Sequence, residues 1–485
     1  MGFRKALAYI FTDSSAAPRT NSRLLGHRGK HAVTVSTKML RTHAYIVGGS
    51  GVGKSRLFHL LVEQDIKNGH GVCVIDPHGS LYKPLVGYLA TLPSDHPALD
   101  RVVLIDPSND EWSVGFNPLE VKHERDLYPT VLDMISVFKK LWADAWGARM
   151  EDIMRNSFIT LAEHGLTLVE MPRLLTDTAF RDRLVRDLRH TEAKRYWLNR
   201  FGPLTASKKT EWVESTLNKV SAFVSDPYIR GMLGQCHSTI DLRSLMDEGA
   251  CVLINLSKGR LKRNSTLIGA LLVSKLQEAA LSREDIPEDD RRPFRVYVDE
   301  FQDYATRSFE EILSEMRKYG ISLMMANQNL AQVHQTLLSS VMTNSTVQIY
   351  FRCNREDAVR LAGEAFRATG KRIKFQLTDG DAIAPEPRTT PVFVSVSEEM
   401  EEYINFLLDL GKREALLSIK GQGHPTAFRT ADVPDYSPTS ASEALHLELL
   451  SRHARRRDEV LREIEERENV EQEFNPDDLW IKDNE

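Results

Sequence analysis

Nowhere do the 485 residues contain an apolar run near the ~20 residues a membrane-spanning helix needs. Cysteine is scarce. Cys73, Cys236, Cys251 and Cys353 are scattered and form no C-x-x-C, which excludes a disulfide framework and a thiolate zinc site and fits a reduced, cytoplasmic protein. An excess of basic charge is missing too. With 63 Lys+Arg against 68 Asp+Glu the net charge is −5, so any nucleic-acid contact has to be a local patch. No internal repeat is visible. The apolar stretch at Met1–Phe11 is too short for a signal peptide and is cut off by Thr12-Asp13-Ser14-Ser15; it reads as a loose terminus rather than an amphipathic docking segment. A balance of 41% hydrophobic and 27% charged residues is that of a soluble globular chain, too long for one ordinary core.

Against these absences stands Gly48-Gly49-Ser50-Gly51-Val52-Gly53-Lys54-Ser55. It matches G-x-x-x-x-G-K-[ST], the phosphate-binding P-loop or Walker A element. His43–Val47 reads as a buried strand entering the loop, and Leu57, Leu60, Leu61 and Ile66 follow at helical spacing. Glycines let backbone N–H groups converge on phosphate oxygens, and the helix N-terminus adds partial positive charge. Lys54 is expected to reach the β- and γ-phosphates of ATP, and the Ser55 hydroxyl to ligate Mg²⁺.

Short apolar runs at Val72–Ile75 and Val102–Ile105 end in Asp76-Pro77 and Asp106-Pro107, as buried parallel strands do at a ligand-binding edge. Residues 122–235 then carry only helical periodicity, with Asp226-Pro227 stopping the last run. Buried strands resume at Ala250–Leu256, Phe294–Val298, Ile321–Ala326 and Thr346–Arg352, with a helix from about Ser308 to Tyr319. The expected division is an N-terminal segment 1–39, a motor domain in two parts, 40–121 and 236–435, an all-helical insertion 122–235, and a charged helix with an acidic tail, 436–485. Leu445, Leu449 and Val460 give that last helix too little apolar face to belong to a core.

Val296-Tyr297-Val298-Asp299-Glu300 is the natural partner of the P-loop: an apolar strand ending in Asp supplies the Mg²⁺ carboxylate of a Walker B element. Glu300 is placed to polarise the attacking water. About 240 residues separate the two motifs, so another strand lies between them, as in the additional-strand, catalytic-glutamate ATPases. Gln328, at the tip of the next strand, is expected to sense the γ-phosphate or orient water. Arg317, at the end of the helix after Walker B, is the first choice for an arginine finger and Arg352 the second. For DNA, Lys258, Arg260, Lys262 and Arg263 put four cations into six residues around a glycine, which suits a loop tracking phosphates. Arg149, Arg155, Lys208 and Lys209 are weaker choices.

The P-loop, Asp76-Pro77-His78-Gly79, Asn117-Pro118-Leu119-Glu120, Asp299-Glu300-Phe301, Arg317-Lys318 and Asn327-Gln328 occur in the order and at the spacing found in the HerA–FtsK superfamily. Residues 40–400 most closely resemble the cytosolic motor of type IV secretion coupling proteins, the conjugative DNA-pumping ATPases. That resemblance implies an α/β fold, a RecA-like P-loop domain with an inserted all-helical domain, working as a ring hexamer that passes DNA through a central channel. It also implies that Gln328 acts in cis and Arg317 in trans. The 47 residues before Gly48 are too few for the transmembrane helices or β-barrel of such relatives, so no integral membrane segment is expected. Recruitment to a membrane would then need a partner. The functional expectation is an ATP-driven DNA translocase with little sequence specificity, in conjugation or in DNA processing or defence; a nucleotide-gated scaffold is the alternative. Phe474, Leu479, Trp480 and Ile481, interleaved with Asp477 and Asp478, are expected to dock a protein partner.

Overall fold

The structure, a computed structural model, describes residues 21–305, 307–378, 388–422 and 424–469. The expectations for Met1–Phe11 and for the apolar anchors of the acidic tail lie outside these residues. In chain order the strands are β1 (Ser22–Arg28), β2 (His31–Ser36), β3 (His43–Val47), β4 (Gly71–Asp76), β5 (Val102–Ile105), β6 (Trp112–Ser113), β7 (Cys251–Asn255) and β8 (Phe294–Val298). They continue with β9 (Ile321–Asn327), β10 (Ser345–Phe351), β11 (Ile373–Thr378), β12 (Arg388–Phe393), β13 (Glu414–Ile419), β14 (Thr426–Thr430) and β15 (Arg455–Arg456).

The chain forms two compact units from discontinuous stretches. So far as they are described, one comprises Met1–Gln64, Tyr297–Gln302 and Ser322–Asp435, the other Asp65–Val296, Asp303–Ile321 and Tyr436–Glu485. In the first unit the strands neighbour one another in the order β2-β1-β14-β13-β10-β3-β9. Pairing is parallel from β10 through β3 to β9 and antiparallel from β10 outward to β2. Sequence explains the split: β3 and β9 are buried at every position, as strands covered on both faces must be, whereas β1 and β2 alternate. The helix Lys54–Lys67 starts in this unit and buries Leu57, Phe58, Leu61 and Val62 there.

One expectation needs correction here. Residues 22–36, assigned to a separate N-terminal segment, are the sheet strands β1 and β2, with Gly26 paired to Thr430. Periodicity missed them because half of each strand is polar and its burial depends on β14, 400 residues away. Strands β11 to β14 likewise went unread.

In the second unit β4, β7 and β5 run parallel in that order. Residues 122–235 carry helices and no strand, among them Leu127–Leu141, Ala148–Glu163 and Ala206–Val224. Phe138 is the hub of their core, with ring centroids of Trp142, Phe158 and Phe223 at 5.0, 5.4 and 5.7 Å. Asp226-Pro227 does more than end a helix. The Asp226 carboxylate accepts from the Tyr228 N–H and caps the next helix, Pro227–Leu233, with proline in its first turn.

The C-terminal helices are also a correction. Ser440–Ser451 and Arg457–Asn469 bury Leu449, Leu450, Val460 and Ile464. Between them β15 pairs with β6, and Arg467 places a guanidinium nitrogen 2.6 Å from the buried Glu170 carboxylate. Four apolar side chains suffice because charged neighbours pair with this unit rather than with water.

Candidate nucleotide site

The phosphate-binding loop grows out of β3. Gly51 adopts φ +72° and Gly53 φ +124°, backbone that side-chain-bearing residues rarely take. Gly48 is required by space, since a Cβ there would come 2.5 Å from the Phe351 Cβ. The loop is held from two sides within its unit: the Gly49 N–H donates to the Arg352 carbonyl at 2.9 Å, and the Arg413 N–H to the Val52 carbonyl at 2.8 Å. Arg413 itself sits at φ +68°, anchored by its guanidinium on the Thr430 carbonyl and on Asp432.

Lys54 is buried and donates to the carbonyls of Gly48 and Gly49 at 2.6 and 3.0 Å. Burial lowers its pKa, opposed by the negative charges of Asp299 and Glu300. The Ser55 hydroxyl, in the first turn of the helix, donates to Asp299 Oδ2 at 3.1 Å. Asp299 Oδ1 accepts the Glu300 N–H at 3.1 Å.

Glu300 follows β8 with φ +49°, an uncommon conformation for a residue with a side chain. Its carboxylate is gripped at both oxygens. Gln328 Nε2 donates to Oε1 and Gln302 Nε2 to Oε2, each at 2.8 Å. Lys54, Ser55, Asp299, Glu300 and Gln328 are therefore brought together in one unit. Sequence reasoning missed Gln302 and Arg413. The first had only its position two residues past Glu300 to mark it, and the second is more than 350 residues from the loop it supports.

The arginines differ from this core. Arg352 meets the P-loop through its carbonyl, while its side chain is exposed. Arg317 is exposed on the 3₁₀ turn Met316–Tyr319 of the second unit, which Gly320 ends in the left-handed conformation; the helix before it stops at Glu315. The basic loop, also in the second unit, departs from the expectation of four free cations. Lys258 pairs with Asp303 at 2.5 Å, and Arg260 with Asp110 at 2.9 Å and the Ser108 carbonyl at 2.8 Å. Lys262, at φ +49°, and Arg263 are exposed. On the insertion, Arg149 pairs with Glu211 and Arg155 with Glu151, so these weaker choices are partly neutralised as well.

A glycine-built loop between a buried strand and a helix, facing a strand that ends Asp-Glu, within a large mixed sheet, is the RecA-like P-loop NTPase fold. The chain belongs to the family of the HerA helicase central domain, whose model matches residues 23–273. A second family model, described as the TraM recognition site of TraD and TraG, matches residues 293–370. Comparison with curated proteins finds no match. Among solved structures the bacterial conjugative coupling protein TrwB, in its unbound ΔN70 form, aligns with TM-score 0.56 at 15% identity over 84% of this chain and 89% of that one. TrwB in complex with ADP and Mg²⁺ gives 0.57 at 15% identity with the same coverage. VirB4 of Thermoanaerobacter pseudethanolicus gives 0.54 at 14% identity over 87% of this chain and 99% of that one. Among the described residues no helix is long and apolar enough to cross a membrane.

Proposed function

We propose that this protein is a Mg²⁺-dependent ATPase that drives DNA translocation as a ring, in conjugative transfer or a related DNA-handling process. The observation that carries the reading is the paired grip of Gln328 and Gln302 on Glu300, beside the Ser55–Asp299 contact. The solved relatives support a nucleoside triphosphate and Mg²⁺, since TrwB is known with ADP and Mg²⁺ and with non-hydrolysable analogues of ATP and of GTP.

The residues present fit both groups. Open glycine backbone and the N-terminus of the helix Lys54–Lys67 suit a polyphosphate, and the hydroxyl of Ser55 and the carboxylate of Asp299 are the hard oxygen donors that would hold Mg²⁺. When bound, the ion neutralises charge on the phosphates. Lys54 supplies a buried positive charge to the same oxygens, able to exchange its two carbonyl partners for phosphate. Glu300, held at Oε1 by Gln328, takes the proton of the attacking water. Gln328 touches the base directly and so ties its aim to the state of the phosphates. Arg317, exposed on another unit, suits action on a neighbouring subunit's nucleotide, which makes the ring a requirement for turnover. DNA contact is assigned to the backbone-reading cations Lys262 and Arg263, with Lys258 and Arg260 joining if their acids let go.

The test is ATP turnover of the full chain with and without duplex DNA, together with displacement of a bound roadblock. Turnover indifferent to DNA, or stimulation without displacement, would reject translocation; the second result favours a nucleotide-gated scaffold.

A further inference from the structure

We propose that the turn Phe301–Asp303 is a lever through which a phosphate backbone on the basic loop controls the aim of Glu300. The inference rests on the DNA-driven reading above and names how that site is regulated.

Two neighbouring residues carry it. Gln302 Nε2 holds Glu300 Oε2 at 2.8 Å. Asp303, the next residue, is held by two lysines from elsewhere in the second unit: Lys258 Nζ on Oδ2 at 2.5 Å and Lys140 Nζ on the backbone carbonyl at 3.0 Å. Lys258 opens the one-turn helix Lys258–Leu261 of the basic segment, and Lys140 lies in the last turn of the insertion's helix Leu127–Leu141. Burial pushes the Lys140 ammonium down to about 8, opposed by the Asp303 charge. The chain passes between its two compact units at the Gln302–Asp303 peptide bond. A displacement of Asp303 therefore reaches Gln302 through one peptide link of about 3.8 Å between Cα atoms.

The Lys258–Asp303 pair is built to be competed away. The two side chains keep 37% and 25% of their surface in solvent, and an ion pair so exposed contributes little stability. Four residues further on, the exposed Lys262 and Arg263 give a polyanion its first hold. Once seated there, phosphate and the Asp303 carboxylate compete for the same Lys258 ammonium. Loss of that partner leaves Asp303 held only at its carbonyl by Lys140, loosens the turn and takes Gln302 off Oε2, leaving that oxygen for water. The φ of +49° at Glu300 is the kind of backbone that persists only while its surroundings hold it. Lys258–Asp303 is then a brake, and nucleic acid releases it.

The full chain is assayed for ATP turnover with and without duplex DNA, and amide hydrogen exchange over residues 299–305 is followed on adding DNA without nucleotide. In the unaltered protein DNA raises kcat, leaves KM for ATP unchanged and speeds exchange in this segment. Asp303→Asn raises basal kcat several-fold, brings the stimulated-to-basal ratio to about one, still binds DNA by anisotropy, and shows no DNA effect on exchange; Gln302→Leu gives the same flat ratio. Asp303→Glu keeps the normal ratio. Should Asp303→Asn melt early, Lys258→Met is read by basal kcat and exchange instead, with the same expectations. An Asp303→Asn variant that keeps the normal ratio and the DNA-dependent exchange overturns the lever while leaving the DNA-driven reading intact. An unaltered protein whose turnover ignores DNA overturns both.

Discussion

The P-loop and the basic loop both follow buried strands and both gather positive charge, but they dispose of it in opposite ways. In the first unit Lys54 is buried and donates to two carbonyls of its own loop rather than to an acid. In the second unit Lys258 and Arg260 are met by Asp303 and Asp110, and Lys262 and Arg263 stand in solvent. A binding site made of backbone keeps its function wherever the motif folds, because glycine φ values and N–H directions are local. A binding site made of long side chains belongs to whichever acids surround it. Four cations in six residues thus say less than one Gly-Lys-Ser.

Four measurements break or sharpen this contrast. The largest effect is expected at the exposed arginine of the second unit. Arg317→Ala should lower turnover on the order of 10³ with ATP binding retained, and mixing it with Glu300→Gln subunits should restore part of the activity, because some interfaces then combine an intact Glu300 with an intact Arg317. Activity independent of protein concentration in a proven monomer would remove the trans role. Within the first unit, Glu300→Gln should reduce kcat on the order of 10² with Mg²⁺ and ATP binding kept, whereas Lys54→Ala should lose nucleotide affinity; equilibrium binding beside turnover separates the two. Ile464→Ala in the C-terminal helix should destabilise the fold by about 2–4 kcal/mol, read by denaturant titration, and a change near zero would return that helix to the solvated role its composition suggested. The smallest effect concerns the exposed half of the basic loop. Neutralising Lys262 and Arg263 should reduce the slope of log affinity for DNA against log salt by about 2, while ATP turnover without DNA stays as it was. A collapse of that basal turnover would assign the loop to the nucleotide site.

Much of the site was legible because its chemistry is coded in consecutive residues. Gly48 to Ser55 and Val296 to Glu300 are each a strand end with its loop, and their apolar runs mark the strands within a residue or two of β3, β5 and β8. Gln328 stood out as the tip of the next strand. Gln302 did not, although it touches the same carboxylate, because a glutamine in a turn has many possible partners and only the fold selects one. The helices at 440–451 and 457–469 were misread for the reverse reason: their charges looked solvated, and the Gly234 carbonyl and Glu170 carboxylate that receive Arg467 and the Leu99 carbonyl that receives Arg452 are 233 or more positions upstream.

The sequence by itself determined the P-loop, the Asp299-Glu300 strand end, the helical character of 122–235 and the family, all of which rest on local backbone preference and on burial along a single element. Only the tertiary structure decided which partners hold Glu300, that Arg413 steadies Val52, that β1 and β2 join the sheet, and that half of the basic loop is already paired. Those outcomes depend on hydrogen bonds and ion pairs of short range between residues distant in the chain. A contact of about 3 Å leaves no periodic trace in either of the segments that make it.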